Sequence, residues 1–555
     1  MIKPTNATYS GHVLGSSPTE IVFSIPLLVD LISSYLSPHD YYSCSLVSRD
    51  FYEAFSPYIF STIDLRTYMA FQKWARPETQ IKLWTQFSAV RSVTSTFGDT
   101  YHFLTLPALF SDSEFHRLSV LRCHLLPTVS SNYSENRLWN QFYLPSVLLL
   151  IERIPNLKVL DLSFFNFDND EYAQRLLSAI RKKGRRFQEF QVGESVIVKS
   201  GNLPSILCSC AAVQNLKLDI ILDGFEHGNI TSDEMELEMM ARQALFGRVD
   251  AQGDGAKGPR LEFAWREFHV PSISYNFELE VVFKMLRHCP LLEHLTVPGI
   301  VELEPMEDLG SMLLTSSFPR LQHLNLECVD AYTEFINVPM LFTVFSSLKS
   351  VVFGSLRNPI DSIDSLLTGS SHSLESITLV VSTEIKGECI QKILSSCPQL
   401  KIFDALGTLG KDLEMRNIME INGFRYWSPV LEIQNLALSG SGDMGWICHN
   451  LEVLRLNFQS HDRTLCIPVS LSQQISKLTK LKELRLHCVA ERDEILEPDS
   501  VQDALLEWRS LSDLRTLELR KFSPLVGPRE LDRIQQQWKS WNGYSPTEIE
   551  SPSSL

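Results

Sequence analysis

Two pairs of side chains recur at one spacing and invite a chemical reading. His294 and His323 hold the same place in "LLEHLTV" and "LQHLNL", and Arg455 and Arg485 hold the same place in "LEVLRL" and "LKELRL". On neighbouring parallel strands the members of each pair would stand about 5 Å apart. Two imidazoles could begin a metal site, with His269 one unit earlier, but a metal needs more ligands and groups that orient them. Contact with a protein partner and a solvated polar face are the competing readings. Stacked guanidiniums suit a planar anion, so an acidic or phosphorylated segment of a substrate is one reading of Arg455 and Arg485. Local neutralisation by Glu483 and Glu518 is the other, with His487 and Arg520 one step along.

Other chemistry has little to stand on. "GDGAKG", residues 253 to 258, spells a dinucleotide fingerprint, but it follows a polar turn and runs into Pro259 instead of opening a helix after a strand. No nucleophile elbow, zincin motif, Walker loop or C-x-x-C pair occurs, and Cys208-x-Cys210 has no second half. Cys210, Cys289 and Cys397 each stand just before a candidate strand, the place of a core residue. The expectation is a protein that is not an enzyme, with no catalytic residue, no metal and no cofactor.

Bulk properties narrow the class further. A net charge of −16 over 555 residues argues against general affinity for nucleic acid or anionic membrane. The first twenty residues lack a secretory pattern, and no apolar run reaches the roughly 18 residues of a membrane span. Eleven scattered cysteines suit a reducing compartment. The triplets at Asn6, Asn132 and Asn229 are then chance matches. A cytoplasmic or nuclear location, or both, is expected.

A period organises the chain. The hexad apolar-x-x-apolar-x-apolar recurs from Leu157, Phe187, Val213, Trp265, Leu292, Leu321, Leu348, Leu374, Leu400, Ile433, Leu451, Leu481 and Leu514, with a weaker copy from Leu118. From Trp265 to Leu400 the steps are 27, 29, 27, 26 and 26 residues, room for one strand and one return helix. Alternation in the hexad sends its fourth and sixth residues inward and its third and fifth outward. Segments such as "EYAQRLLSAIRKK" and "ECIQKILSS" carry helical spacing. One such unit cannot bury its own apolar face, so neighbours must stack into a solenoid. "SSCPQLKIFDAL", "RHCPLLEHLTV" and "SSFPRLQHLNL" resemble the cysteine-containing leucine-rich repeats. The step from Ile433 to Leu451 is only 18 residues, so "SGSGDMGWICHN" reads as an irregular loop.

The stretch "IPLLVDLISSYLSPHDYYSCSLVSRDFYEAF", residues 25 to 55, breaks this pattern. Leu28, Ile32 and Leu36 fall at i, i+4 and i+8, with Leu31 and Tyr35 alongside. Ser37, Pro38 and Asp40 make a helix start, and Ser56-Pro57 repeats its opening. Three short helices are too few to enclose a core, so an apolar face is left for a partner. Ile25-Pro26, "YLSPHD" and "SLVSRDF" resemble the F-box, with Ser48 and Phe51 standing where that family has Cys and Trp.

The two resemblances together imply an α/β fold: an N-terminal three-helix F-box followed by a leucine-rich-repeat solenoid, parallel strands on its concave face and helices on its convex face. The expected organisation is a disordered tail over 1–20, the F-box over 21–65 and a connecting region of divergent repeats over 66–117. The solenoid follows over 118–525, with an insertion at about 223–260 that contains a helix with a Thr231-x-x-Glu234 capping box and a Gly-rich loop, then a C-terminal helix and polar tail over 526–555. The resemblance implies the substrate-recognition subunit of an SCF (cullin-RING) ubiquitin ligase. Its Skp-type adaptor, on a cullin scaffold, would be met by Ile25, Pro26, Leu28, Leu36, Leu46, Val47 and Phe51, while the repeats hold a protein substrate. A repeat scaffold with no ligase role is the alternative.

Overall fold

The structure is a computed structural model. It describes most of residues 25–65, 90–97, 118–125, 144–162, 170–199, 203–223, 262–270, 281–297, 318–326, 345–353, 359–379, 387–406, 419–432, 445–488 and 495–520. The tail over 1–20, the C-terminal segment over 526–555, the capping box at Thr231, the "GDGAKG" loop and nearly all of the expected insertion lie outside these residues. Two compact units divide the chain, Met1–Val196 and Ile197–Leu555.

The first unit opens with helices α1 (Pro26–Ser33), α2 (Pro38–Ser45) and α3 (Arg49–Ile59). Strands β1 (Thr62–Leu65), β2 (Ser92–Phe97) and β3 (Val120–Leu125) follow, then α4 (Leu144–Arg153), β4 (Val159–Leu162), α5 (Asp170–Lys183) and β5 (Glu189–Lys199). The strands pair in parallel and in chain order, with Ile63, Val93, Leu121, Leu160 and Phe190 in one row. The ladder therefore begins upstream of Leu118, the first repeat legible in the sequence. "FSTIDL" from Phe60 fits the hexad letter for letter, and "VRSVTS" from Val90 misses it only at the polar sixth residue, Ser95.

The second unit holds α6 (Leu203–Ser209), β6 (Asn215–Asp223), β7 (Glu267–His269), β8 (His294–Thr296), β9 (His323–Leu326) and β10 (Ser350–Phe353). It continues through α7 (Pro359–Ser370), β11 (Ser376–Leu379), α8 (Gly387–Leu394) and β12 (Ile402–Asp404). The last repeats are β13 (Val453–Gln459), α9 (Val469–Ser476), β14 (Glu483–Cys488), α10 (Pro498–Glu507) and β15 (Thr516–Arg520). Again each strand pairs in parallel with the next. β12 pairs directly with β13, Phe403 against Leu454; the hexad from Ile433 lies outside the described residues. The neighbouring segment Val430–Glu432 pairs with the far end of β13.

Register repeats because the backbone repeats. The carbonyl of the second hexad residue accepts two amides from the next repeat: Gln322 O from Lys349 N at 2.7 Å and Ser350 N at 3.0 Å, Lys349 O from Glu375 N at 2.7 Å and Ser376 N at 2.9 Å. First, fourth and sixth residues are buried in every repeat where their burial is described, as at Leu321, Leu324 and Leu326. Each such side chain contributes on the order of 1.5–3 kcal/mol on leaving water. Tryptophans fill the gaps between repeats and find acceptors there. Trp265 Nε1 donates to Cys210 O at 2.9 Å, Trp446 Nε1 to Gln391 Oε1 at 2.8 Å and Trp508 Nε1 to Ser472 O at 3.2 Å. Trp446 thereby anchors the irregular stretch 445–450 that the short step foreshadows. No helix among the described residues is long and apolar enough to cross a membrane.

Candidate functional site

The N-terminal helices are built by local chemistry. Ser37 caps α2: its hydroxyl accepts from Asp40 N at 3.3 Å, while the Asp40 carboxylate accepts from Ser37 N at 2.8 Å and from the Ser37 hydroxyl at 2.7 Å. This is a complete capping box with proline at the first turn. The two bonds from Ser37 hold the Asp40 carboxyl below its ordinary range, the hydroxyl's contribution being the larger. The second Ser-Pro pair behaves differently from expectation. Helix α3 starts at Arg49, capped by Ser48 through Phe51 N at 3.2 Å, and runs through Ser56 and Pro57. Pro57 falls in the last turn, where the amide it lacks would have met the carbonyl of exposed Glu53, a group water can serve.

What these helices bury is small and specific. Val29, Phe55, Ser33, Ser45 and Ser56 are enclosed. Tyr41 OH donates to Ser33 O at 2.6 Å, and the rings of Phe51, Phe55, Tyr58 and Tyr41 form a chain with centroids 5.8 to 6.4 Å apart. Asp30 ties α1 to the start of β2: it accepts from Arg91 Nη2 at 2.9 Å and from Tyr58 OH, and the Arg91 guanidinium lies 5.4 Å from the Tyr58 ring centroid. This tether was not read from the sequence, because nothing local signals a contact across 61 residues.

What the helices leave outside is large. Ile25, Leu28, Leu31, Ile32, Tyr35, Tyr42, Leu46, Val47 and Tyr52 are all exposed, Leu46 at 69% and Val47 at 66%. They are nine of the sixteen exposed large apolar side chains among the described residues. A concentration of that kind is the feature to look for in an interaction surface, whereas singly scattered apolar residues are ordinary. Leu36 and Phe51 are half-buried, Phe51 against Phe55; the side chain of Pro26 lies outside the described ones.

On the outward face of the repeat sheet the two expected pairs form. His294 and His323 are register partners, their rings 4.1 Å apart and within 3° of parallel. Two positive charges at that separation would repel by about 1 kcal/mol in bulk water and about 4 kcal/mol at an effective dielectric of 20. Burial lowers the His323 pKa, and His294 and Lys349 push it the same way against Glu375 and Glu293. His269 does not join the stack. It faces Thr296 and instead meets Glu267 at 3.2 Å. That contact, with Lys217 Nζ at 3.2 Å, draws the Glu267 carboxyl down to about 2, the His269 hydrogen bond leading.

Arg455 and Arg485 are likewise register partners, and carboxylates of the chain itself meet them. Arg455 Nη1 reaches Asp404 Oδ2 at 2.6 Å and its Nε reaches Glu483 Oε1 at 2.8 Å. Arg485 Nε lies 2.7 Å from the same Glu483 oxygen, too bent for a hydrogen bond, and its Nη1 is 3.4 Å from Glu518. His487 completes the set at 3.3 Å from Glu518. Three carboxylates thus surround two guanidiniums. Asp404 is the residue sequence reasoning passed over; it holds the same hexad place as Arg455 in "LKIFDA", but the hexad from Ile433 stands between the two in the sequence.

A second row of charges, at the second hexad residue, also escaped the sequence reading. Arg266 meets Glu293 at 3.6 Å, Glu375 meets Lys401 at 2.5 Å and Glu452 meets Lys482 at 2.6 Å, so signs alternate along the edge of the ladder. No group of three or more metal-ligating side chains occurs among the described residues. Cys210, Cys289 and Cys397 are buried, as their place before a strand implies, and burial pushes the Cys397 thiol up to about 12.

Two segments, residues 156–179 and 380–398, match the family model described as Leucine Rich Repeat. Together with the parallel ladder they support a leucine-rich-repeat protein with a protein-binding role. No curated protein matches the sequence. Among solved structures, the chain is similar to one titled "Crystal structure of Rad7 and Elc1 complex in yeast", at 15% identity and a TM-score of 0.32, covering 73% of this chain and 97% of that one.

Proposed function

We propose that the chain is the substrate-recognition subunit of an SCF (cullin-RING) ubiquitin ligase, working in the cytoplasm, the nucleus or both. In this reading the F-box-like helices dock on a Skp-type adaptor and the repeats hold a protein substrate. The observation that carries it is the cluster of exposed apolar side chains between Ile25 and Tyr52, on helices otherwise well capped and internally bonded. A chain that seals its repeat cores has a reason to leave Leu46 and Val47 in water only if another surface covers them. Such a receptor makes or breaks no bond. It raises the effective concentration of one protein near another, which requires no catalytic residue.

Co-purification with the adaptor tests the proposal. The wild-type chain is expected to carry the adaptor through gel filtration, and Leu46→Asp to lose it while eluting as a folded monomer. If the wild-type chain carries no adaptor and Leu46→Asp changes nothing, the ligase role is lost and a repeat scaffold without it remains.

A further inference from the structure

The outward face of β8 to β10 carries basic nitrogens that make no close ion pair among the described residues, although Glu375 and Glu293 lie near enough to act on them. His294, His323 and Ser350 are register partners on three successive strands, and Lys349 immediately precedes Ser350. Lys349 is exposed and meets no carboxylate at ion-pair distance among the described residues. The acids closest in sequence register are engaged elsewhere, Glu293 by Arg266 and Glu375 by Lys401. We propose that His294, His323 and Lys349 form a docking site for a carboxylate-bearing segment of a partner polypeptide. The proposal rests on reading the repeats as the substrate-holding half and names the chemistry that half would recognise.

Charge complementarity selects the occupant. Lys349 supplies one fixed positive charge, which matches the single charge of a carboxylate, and the ring of His323 can add a proton once the acid is bound. At Arg455 and Arg485 an incoming acid would have to displace Asp404, Glu483 or Glu518. At Lys349 no carboxylate among the described residues stands at ion-pair distance to be displaced. The stack also sets a direction with pH. His323 faces His294 on β8 and Lys349 ahead of β10, which disfavour its protonation, and Glu293 and Glu375, which favour it. On the far side of His294 stands Glu267 of β7, already held by Lys217 and His269. A bound carboxylate favours the protonated ring, so binding takes up a proton and tightens as pH falls.

Fluorescence anisotropy on the full chain tests this with three labelled peptides of equal length, repeating Gly-Ser-Glu, Gly-Ser-Gln and Gly-Ser-phosphoserine. The Glu peptide should bind about tenfold tighter than the Gln peptide. Its affinity should rise several-fold between about pH 8 and about pH 6. Lys349→Gln and His323→Gln should each weaken it roughly fivefold, and Arg485→Gln should change it less than about twofold. Because Lys349 is exposed, its variant should melt like wild type, so a loss there is a loss of binding. Equal binding of the Glu and Gln peptides overturns the proposal. So does binding of the phosphoserine peptide alone, or loss on Arg485→Gln with Lys349→Gln unaffected. Adaptor co-purification read on the same variants separates the two ideas: adaptor retained with no acidic-peptide binding removes this site and leaves the receptor reading in place.

Discussion

The helices at residues 26–59 and the strands of the repeats are made from the same kinds of side chain and treat them in opposite ways. In the repeats, Leu324 and Leu326, or Leu454 and Leu456, are buried, because each unit meets its neighbours on both sides. In the helices, Leu46 and Val47 stand mostly in water although they follow a well-capped α2 and precede a serine-capped α3. The difference is geometric. Stacking gives every interior repeat two neighbours, whereas three helices of eight to eleven residues wrap a core little larger than Val29 and Phe55. Buried leucine in the repeats is structure, and exposed leucine in the helices is the surface on which the proposed docking rests.

The comparison breaks most visibly if one leucine from each region is changed. Leu454→Ala removes a fully buried side chain in β13 and should cost about 2–5 kcal/mol, read as a fall in the thermal midpoint of the full chain. Leu46→Ala should leave that midpoint within about 0.5 kcal/mol of wild type, since its side chain is already exposed. Similar destabilisation by both would mean that the helices use Leu46 for their own packing, and the surface argument would fail.

How far the sequence could have foretold this follows from range. The hexad was legible because burial demands the same three residues at every turn, and so were the α2 cap and the exposed apolar block, each set by residues within a few positions. The His294–His323 and Arg455–Arg485 pairs were legible because aligned hexads put them in register. Asp404 was not, since its role depends on β12 pairing with β13 across 51 residues and past the Ile433 hexad. The Asp30–Tyr58–Arg91 tether is hidden for the same reason. "FSTIDL" and "VRSVTS" were overlooked because one lies against the helices and the other ends in serine, although the ladder uses both.

A second comparison lies within the outward sheet face, between the neutralised arginines and the open bases at Lys349. Asp404 is nearly inaccessible at 4% exposure, and Arg455 retains about a quarter of its own. Asp404→Asn keeps the oxygen that accepts from Leu406 N at 3.1 Å but removes the charge. Breaking a buried pair costs about 3–5 kcal/mol; Glu483 still holds Arg455 here, so about 2 kcal/mol is expected in thermal or denaturant unfolding. Adding Arg455→Met should restore part of it, because the unpaired guanidinium goes with it. No loss in the single variant would show the cluster to be as open as the Lys349 site and would erase the contrast.

The smallest expected effect tests whether the N-terminal helices stand on their own chemistry. Ser37→Ala removes the hydroxyl that accepts from Asp40 N and donates to its carboxylate, and should cost α2 about 1 kcal/mol. Because the Asp40 carboxyl sits below its ordinary value in the folded chain, the cap contributes fully above about pH 4 and is lost as pH falls through that lowered value. Hydrogen exchange should show faster opening across residues 38–45 in the variant, with amides of β9 to β11 unchanged. Adaptor co-purification should weaken in step with the lost protection, since Leu46 and Val47 are presented by the end of that helix. If exchange quickens in the helices and adaptor binding does not change, the surface that meets the adaptor is not held in place by α2.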